Sequence, residues 1–285
     1  MEKKHKALKV IIISVSVMVL LAGAAAAVYF LAFGTMTLVA DDSFMQVVPS
    51  GTLSAMRLHL AGKGVRLKVV KLPESSFSSA DVFSAALAGL RSDYVVLTPV
   101  PAAYAVHNEI DVSALIPSAS VTAIHDRSGS ELFDCVLVSD VRTGWERAAD
   151  ALNSETAAMS QNLALVYGST ETELAQSIVS CFPEGHVTEF VKESASRMFA
   201  STTIDQMDKQ GIVLAMCPYV SYFSSFFDSG SSVYWITDYR IAQVVPEGYL
   251  YGVVSPDFIS ACSIALTVEK GSHVAETLEY IYEKK

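Results

Sequence analysis

Ten short apolar runs constrain this chain more than any other feature. They are 36–40, 66–72, 94–100, 119–125, 133–139, 163–167, 187–191, 212–216, 233–237 and 250–254. Segments of helical length separate them. Short apolar runs bounded by turn residues and alternating with helical patterns read as βα units on parallel sheets. A second cycle starts near Cys135, so the expected fold is α/β with two similar lobes, each a parallel sheet flanked by helices. Open sheets of this kind bind ligands outside the carboxyl ends of their strands. The residues that follow each run are therefore the ones to read for function.

Ahead of the first run lies a stretch of different character. No charged residue occurs from Val10 through Ala40. About 20 apolar residues cross a bilayer, so 10–34 is expected to be a transmembrane anchor. Lys3, Lys4, Lys6 and Lys9 precede it, which keeps 1–9 in the cytoplasm and exports the body. A cleaved signal peptide is the alternative, because Ala24-Ala25-Ala26 fits its small-residue cleavage pattern. The apolar run continues past that point through Phe33, which favours the uncleaved anchor. The expected location is the inner membrane, single-pass, with the globular part in the periplasm.

The chain carries a net charge of −10 over 285 residues. The first nine residues hold four lysines against one glutamate, so the body is more acidic still. That excludes a basic surface for nucleic acid and leans toward neutral or cationic solutes. Cys135, Cys181, Cys217 and Cys262 lie too far apart for a zinc knuckle, and the six histidines show no ligand spacing. No phosphate loop, dinucleotide fingerprint, nucleophile elbow or zincin motif occurs. The reading is a binding protein without cofactor or metal, and not an enzyme.

Strand ends supply the candidate ligand residues. Asp41-Asp42-Ser43-Phe44 follows the first run, and Asp42 and Phe44 are its candidates; helix capping is the alternative for the acids. Asp126 and Arg127 follow the fourth run, and Asp238 follows the ninth. Trp145, early in a helix, is either interlobe packing or a cleft wall. Tyr219, Tyr222, Phe223, Phe226 and Phe227 form core packing or a hydrophobic ligand wall. The tail from Ser272 suits a helix through Val274, Leu278, Ile281 and Tyr282, or a short edge strand.

Five segments in order resemble the type I periplasmic binding proteins, the ribose-binding-like group that shares its core with sugar-binding repressors. They are SASVTAIHDR (118–127), LVSDVRTGWERAADAL (137–152), LALVYGSTETELAQSIVSCF (163–182), VYWITD (233–238) and LYGVVSPDFISACSIAL (250–266). The resemblance covers about 36–272. It implies two hinged lobes closing on a small solute, 36–139 plus 254–272 as one and 140–253 as the other, with 273–285 a candidate addition to the second. It implies Phe44 as an aromatic platform and Asp126, Arg127 and Asp238 as polar clamps. Such a set would hold paired hydroxyls and the apolar face of a sugar- or nucleoside-like ring. Departures from the pattern are Gln176 for an arginine, Cys217-Pro218 for Asn-Asp, Ser255 for a longer polar residue and Val141 for an asparagine. The expected role is solute capture for a membrane transporter or sensor. A scaffold that has lost its ligand and serves in assembly is the alternative.

Overall fold

The computed structural model describes residues 15–20, 34–49, 51–126, 128–155, 163–192, 197–218, 232–246 and 248–285. All ten apolar runs form strands. The first five are β1 (Gly34–Asp41), β2 (Val65–Leu72), β3 (Tyr94–Leu97), β4 (Ser120–Ile124) and β5 (Cys135–Asp140). They lie side by side as β2-β1-β3-β4-β5, all parallel. The next five are β6 (Leu163–Gly168), β7 (Val187–Lys192), β8 (Leu214–Cys217), β9 (Tyr234–Asp238) and β10 (Leu250–Pro256). They repeat the order as β7-β6-β8-β9-β10, again all parallel.

The tail is neither a helix nor an edge strand. It forms β11 (Val274–Lys284), which lies between the two halves. Its first part pairs parallel with β5, from Val274 opposite Cys135 to Glu279 opposite Asp140. Its second part pairs antiparallel with β10, from Tyr280 opposite Pro256 to Lys284 opposite Gly252. The two sheets expected from the sequence are thus joined into one hydrogen-bonded ladder of eleven strands. The change of partner falls between Glu279 and Tyr280. Buried Asp134 fixes where the strand begins, because its carboxylate accepts Val121 N–H at 2.7 Å and Gly271 N–H at 2.6 Å. Gly271 has φ +77°, a left-handed turn that suits glycine.

Helices fill the connections: α1 (Asp42–Val47), α2 (Thr52–Gly62), α3 (Ala80–Ala88), α4 (Pro99–His107), α5 (Val112–Leu115), α6 (Val141–Glu155), α7 (Thr172–Ser180), α8 (Arg197–Lys209) and α9 (Phe258–Ala265). The third strand is shorter than its apolar run because Pro99 opens α4 with Thr98 as N-cap. The last helix stops at Ala265. From β5 the chain enters α6, which packs on α7, β10 and β11. From β10 it enters α9, which returns to α2, β3 and β4. Capping carboxylates mark both passages: Asp140 accepts from Thr143 Oγ1 at 2.5 Å, and Asp257 from Ser260 N–H at 2.9 Å. One buried cluster runs through both halves, taking Met36, Leu38, Trp145, Leu165, Met216 and Tyr280.

The expected anchor at 10–34 lies outside the described residues except for 15–20 and Gly34. Residues 15–20 are helical, and Val15, Val17, Met18, Val19 and Leu20 are exposed. Gly34 opens β1. Among the described residues no helix is long and apolar enough to cross a membrane.

Candidate functional site

The sequence candidates that fall among the described residues stand in different surroundings. Asp42 starts α1 and pairs with Lys71, its Oδ1 2.5 Å from the ammonium, on the surface. Phe44 is no open platform. It is 4% exposed, and its ring meets that of Phe258 edge-on at 5.4 Å. The apolar face that α1 must bury makes it a core residue. Asp126 has a 71% exposed side chain and accepts from Ser128 N–H at 2.9 Å. That hydrogen bond, first from the Ser128 hydroxyl and then from its N–H, holds the Asp126 carboxyl below the usual range. Arg127 and the group from Tyr219 to Phe227 lie outside the described residues.

Trp145 is fully buried, which selects packing over the cleft wall. Trp145, Ala148, Ala149 and Leu152 share the core at helical spacing, so one stripe of α6 faces inward. The indole N–H has no hydrogen-bond partner among the described residues. The helix sits close to the sheet because residue 144 is glycine. A Cβ there would fall 2.5 Å from Tyr280 Cβ and 2.7 Å from Val254 Cγ1. Gln176 is exposed on α7. Ser255 is buried within β10, opposite Ile281 of β11.

Asp238 alone among the candidates sits at the centre of a charged constellation. It is 1% exposed at the carboxyl end of β9. Arg240 forks onto it, with Nε donating to Oδ1 at 2.7 Å and Nη2 to Oδ2 at 3.2 Å. The Arg240 backbone N–H donates to the same Oδ1 at 2.9 Å. Desolvation works against the guanidinium charge, but the Asp238 hydrogen bonds and charge outweigh it and raise the Arg240 pKa. The Arg240 side chain is 49% exposed, so this pair is buried on one side and wet on the other.

Other strand ends join it. Glu171 follows β6 and accepts Gly168 N–H at 3.1 Å. Burial raises its pKa, with Asp238 adding to the rise while Gly168 and Arg240 oppose it. Tyr239 is buried and its hydroxyl pKa is raised, first by burial, then by Tyr280, Asp238 and Asp41. Tyr280 of β11 is pushed up to about 12 by burial and the Asp238 charge, while its hydrogen bond with Ser139 of β5 works the other way. Asp41, at the end of β1, caps α1 through Oδ2. Its Oδ1 is buried without a hydrogen-bond partner.

Asp41, Ser139, Glu171, Asp238, Arg240 and Tyr280 therefore bring together strand ends from both halves. Such a group offers many acceptors and one cation, suited to fixing hydroxyl or amine donors. Sequence reasoning missed Arg240, Glu171 and Tyr280. The Asp-Tyr-Arg triplet at the end of the ninth run carried the signal for Arg240. Nothing local marked Tyr280, because its role comes from strand pairing. Among the described residues no three metal-ligating side chains gather.

No protein-family model matches the chain, and no curated protein matches it in sequence. Solved structures do match in shape. A LacI-family transcription repressor from Corynebacterium glutamicum superposes with a TM-score of 0.51 at 12% identity, over 87% of this chain and 96% of that one. A LacI transcriptional regulator from a Rhodococcus species gives 0.51 at 11%, over 88% and 97%. An ABC transporter solute-binding protein from Agrobacterium vitis, bound with α-D-tagatopyranose, gives 0.50 at 10%, over 88% and 94%. Two parallel arrays of order 2-1-3-4-5, flanked by helices and matched along their length by these proteins, give this chain the type I periplasmic-binding-protein-like fold.

Proposed function

We propose that this chain is a solute-binding protein held at the outer face of the inner membrane by 10–34. In this reading, lobes of 36–139 plus 254–272 and of 140–253, bridged by β11, close on a small polar or amphipathic molecule. One observation carries it: Tyr280 of β11 links Ser139 at the end of β5 to the half-wet Asp238–Arg240 pair at the end of β9. The exposed apolar side chains of 15–20, preceded in sequence by four lysines, support the anchor. The solute passes to a membrane transporter or sensor, and closure shifts the population between open and closed forms.

Thermal shift of the full chain against sugars, nucleosides, amino acids and small amines tests the proposal. Saturable stabilisation by at least one class is expected. Arg240→Ala should weaken that ligand by roughly 10- to 150-fold, the loss of one charge-assisted contact. Stabilisation by none of these classes would remove the solute-binding reading.

A second reading has its own observation. Phe258 meets Phe44 edge-on at 5.4 Å and Tyr239 edge-on at 6.0 Å, the second contact joining the two halves. Aromatic packing in that place suits a scaffold that holds one shape and binds a protein. Co-purification of a protein partner with no response to small solutes would select it.

A further inference from the structure

Two hollows that share lining residues lie beside β9 and β10, the larger one where these strands begin. The larger, of about 660 Å³, is walled by Tyr234, Gln243, Val245, Leu250 and Tyr251. The smaller, of about 300 Å³, shares Ala242, Gln243, Leu250 and Lys285 with it and continues to Val48 and Pro49 behind α1. These sizes fall in the range of small-molecule sites. The Tyr234 ring is 46% exposed and stands 6.0 Å from that of Tyr249.

Lys285 is the one charged residue among the described lining of either hollow. Its backbone N–H donates to Tyr251 O at 2.9 Å, which fixes it to the wall. Its ammonium stands 3.2 Å from Glu283 in an exposed pair, a weak hold on the side chain. Lys284 adds a second cation, 5.0 Å from the centre of the Tyr251 ring. An aromatic and aliphatic wall with ammonium groups at its rim is complementary to a ring with an acid attached.

We infer that this hollow binds a small anionic amphiphile, its ring or chain against Tyr234, Val245 and Leu250 and its acid group at Lys285. The site is separate from the Asp238–Arg240 constellation and does not depend on the solute reading.

Calorimetric titration of the full chain in lipid nanodiscs tests it, with empty nanodiscs as the blank. The probes are 1-naphthaleneacetate and its uncharged partner 1-naphthaleneacetamide. Saturable binding of one acetate per chain is expected, about tenfold tighter than the amide at low salt. Lys285→Gln should remove that advantage and leave the amide unchanged. Ala242→Trp, which puts a bulky ring into the wall that both hollows share, should abolish both signals. Tyr234→Ala, at an exposed ring, should weaken both probes if the tryptophan variant fails to fold. Equal affinity for the two probes would overturn the anionic ligand class. No saturable binding, or binding indifferent to all three substitutions, would overturn the site.

Discussion

The two halves of the sheet repeat one strand order, yet their strand-end aspartates do different things. Asp41 and Asp126 in the first half are each followed two residues later by serine. Asp238 in the second half is followed two residues later by arginine. The backbone turn is shared: the N–H of residue i+2 donates to the carboxylate at 3.0 Å for Ser43, 2.9 Å for Ser128 and 2.9 Å for Arg240. The serine hydroxyls fold back onto the same oxygens, so one oxygen of each first-half carboxylate is taken by its own turn. The arginine also folds back, but half of its side chain stays in water. Topology decides where a strand-end acid stands. The residue two positions on decides whether that acid is held only by its own turn or also by a half-exposed cation.

The largest expected effect concerns the joint between the halves. Phe258→Ala removes the ring between Phe44 and Tyr239 and should cost about 3–5 kcal/mol in denaturant unfolding. A loss under about 1 kcal/mol would mean that the halves are not coupled through this ring.

Next comes Tyr280, which stands between Ser139 of the first half and Asp238 of the second. Folded protein keeps its phenol proton up to about pH 12, whereas the unfolded chain releases it near 10. The folded state therefore binds more protons in that window, and stability falls as pH rises through it. The Tyr280 share of the fall should be on the order of 2–3 kcal/mol, and Tyr280→Phe should remove that share. Chemical denaturation of both proteins at pH 9 and pH 12 measures the difference.

Smaller effects separate the three aspartates. Asp238→Asn weakens a fork whose cation can turn to water, so about 1–3 kcal/mol is expected. Asp41→Ala removes an N-cap and should cost about 1 kcal/mol. Asp126→Ala touches an exposed turn and the 3.3 Å contact to His125, and should stay within about 0.5 kcal/mol. A different ranking in urea midpoints would show that the residue at i+2 does not set the role of the acid.

The strands were legible because buried parallel strands read as apolar runs whatever lies around them. β11 was not. Val274, Leu278, Ile281 and Tyr282 sit at spacings that fit a helix face, and the period-2 signal shrinks to buried Leu278 and Tyr280 among glutamates. Its place between β5 and β10 depends on turn contacts of Asp134 that no local pattern carries. Trp145 was half legible: its spacing to Ala148, Ala149 and Leu152 marks a core stripe, yet a tryptophan near a crossover also suits a cleft. Among the strand-end residues, sequence located Asp238 and passed over Arg240, because a motif match assigns a position and is silent on which neighbour occupies its oxygens.

The strand that unites the two halves is also synthesised after the other ten. Until Val274 through Lys284 have left the ribosome, β5 and β10 each present an open backbone edge to water, to chaperones and to other nascent chains. Each half can collapse earlier on its own, but the seam between them can only be sewn once that last stretch has emerged. A ribosome stalled before this point would therefore display a protein with two unprotected edges facing each other, and quality control would meet it as two parts before it met it as one.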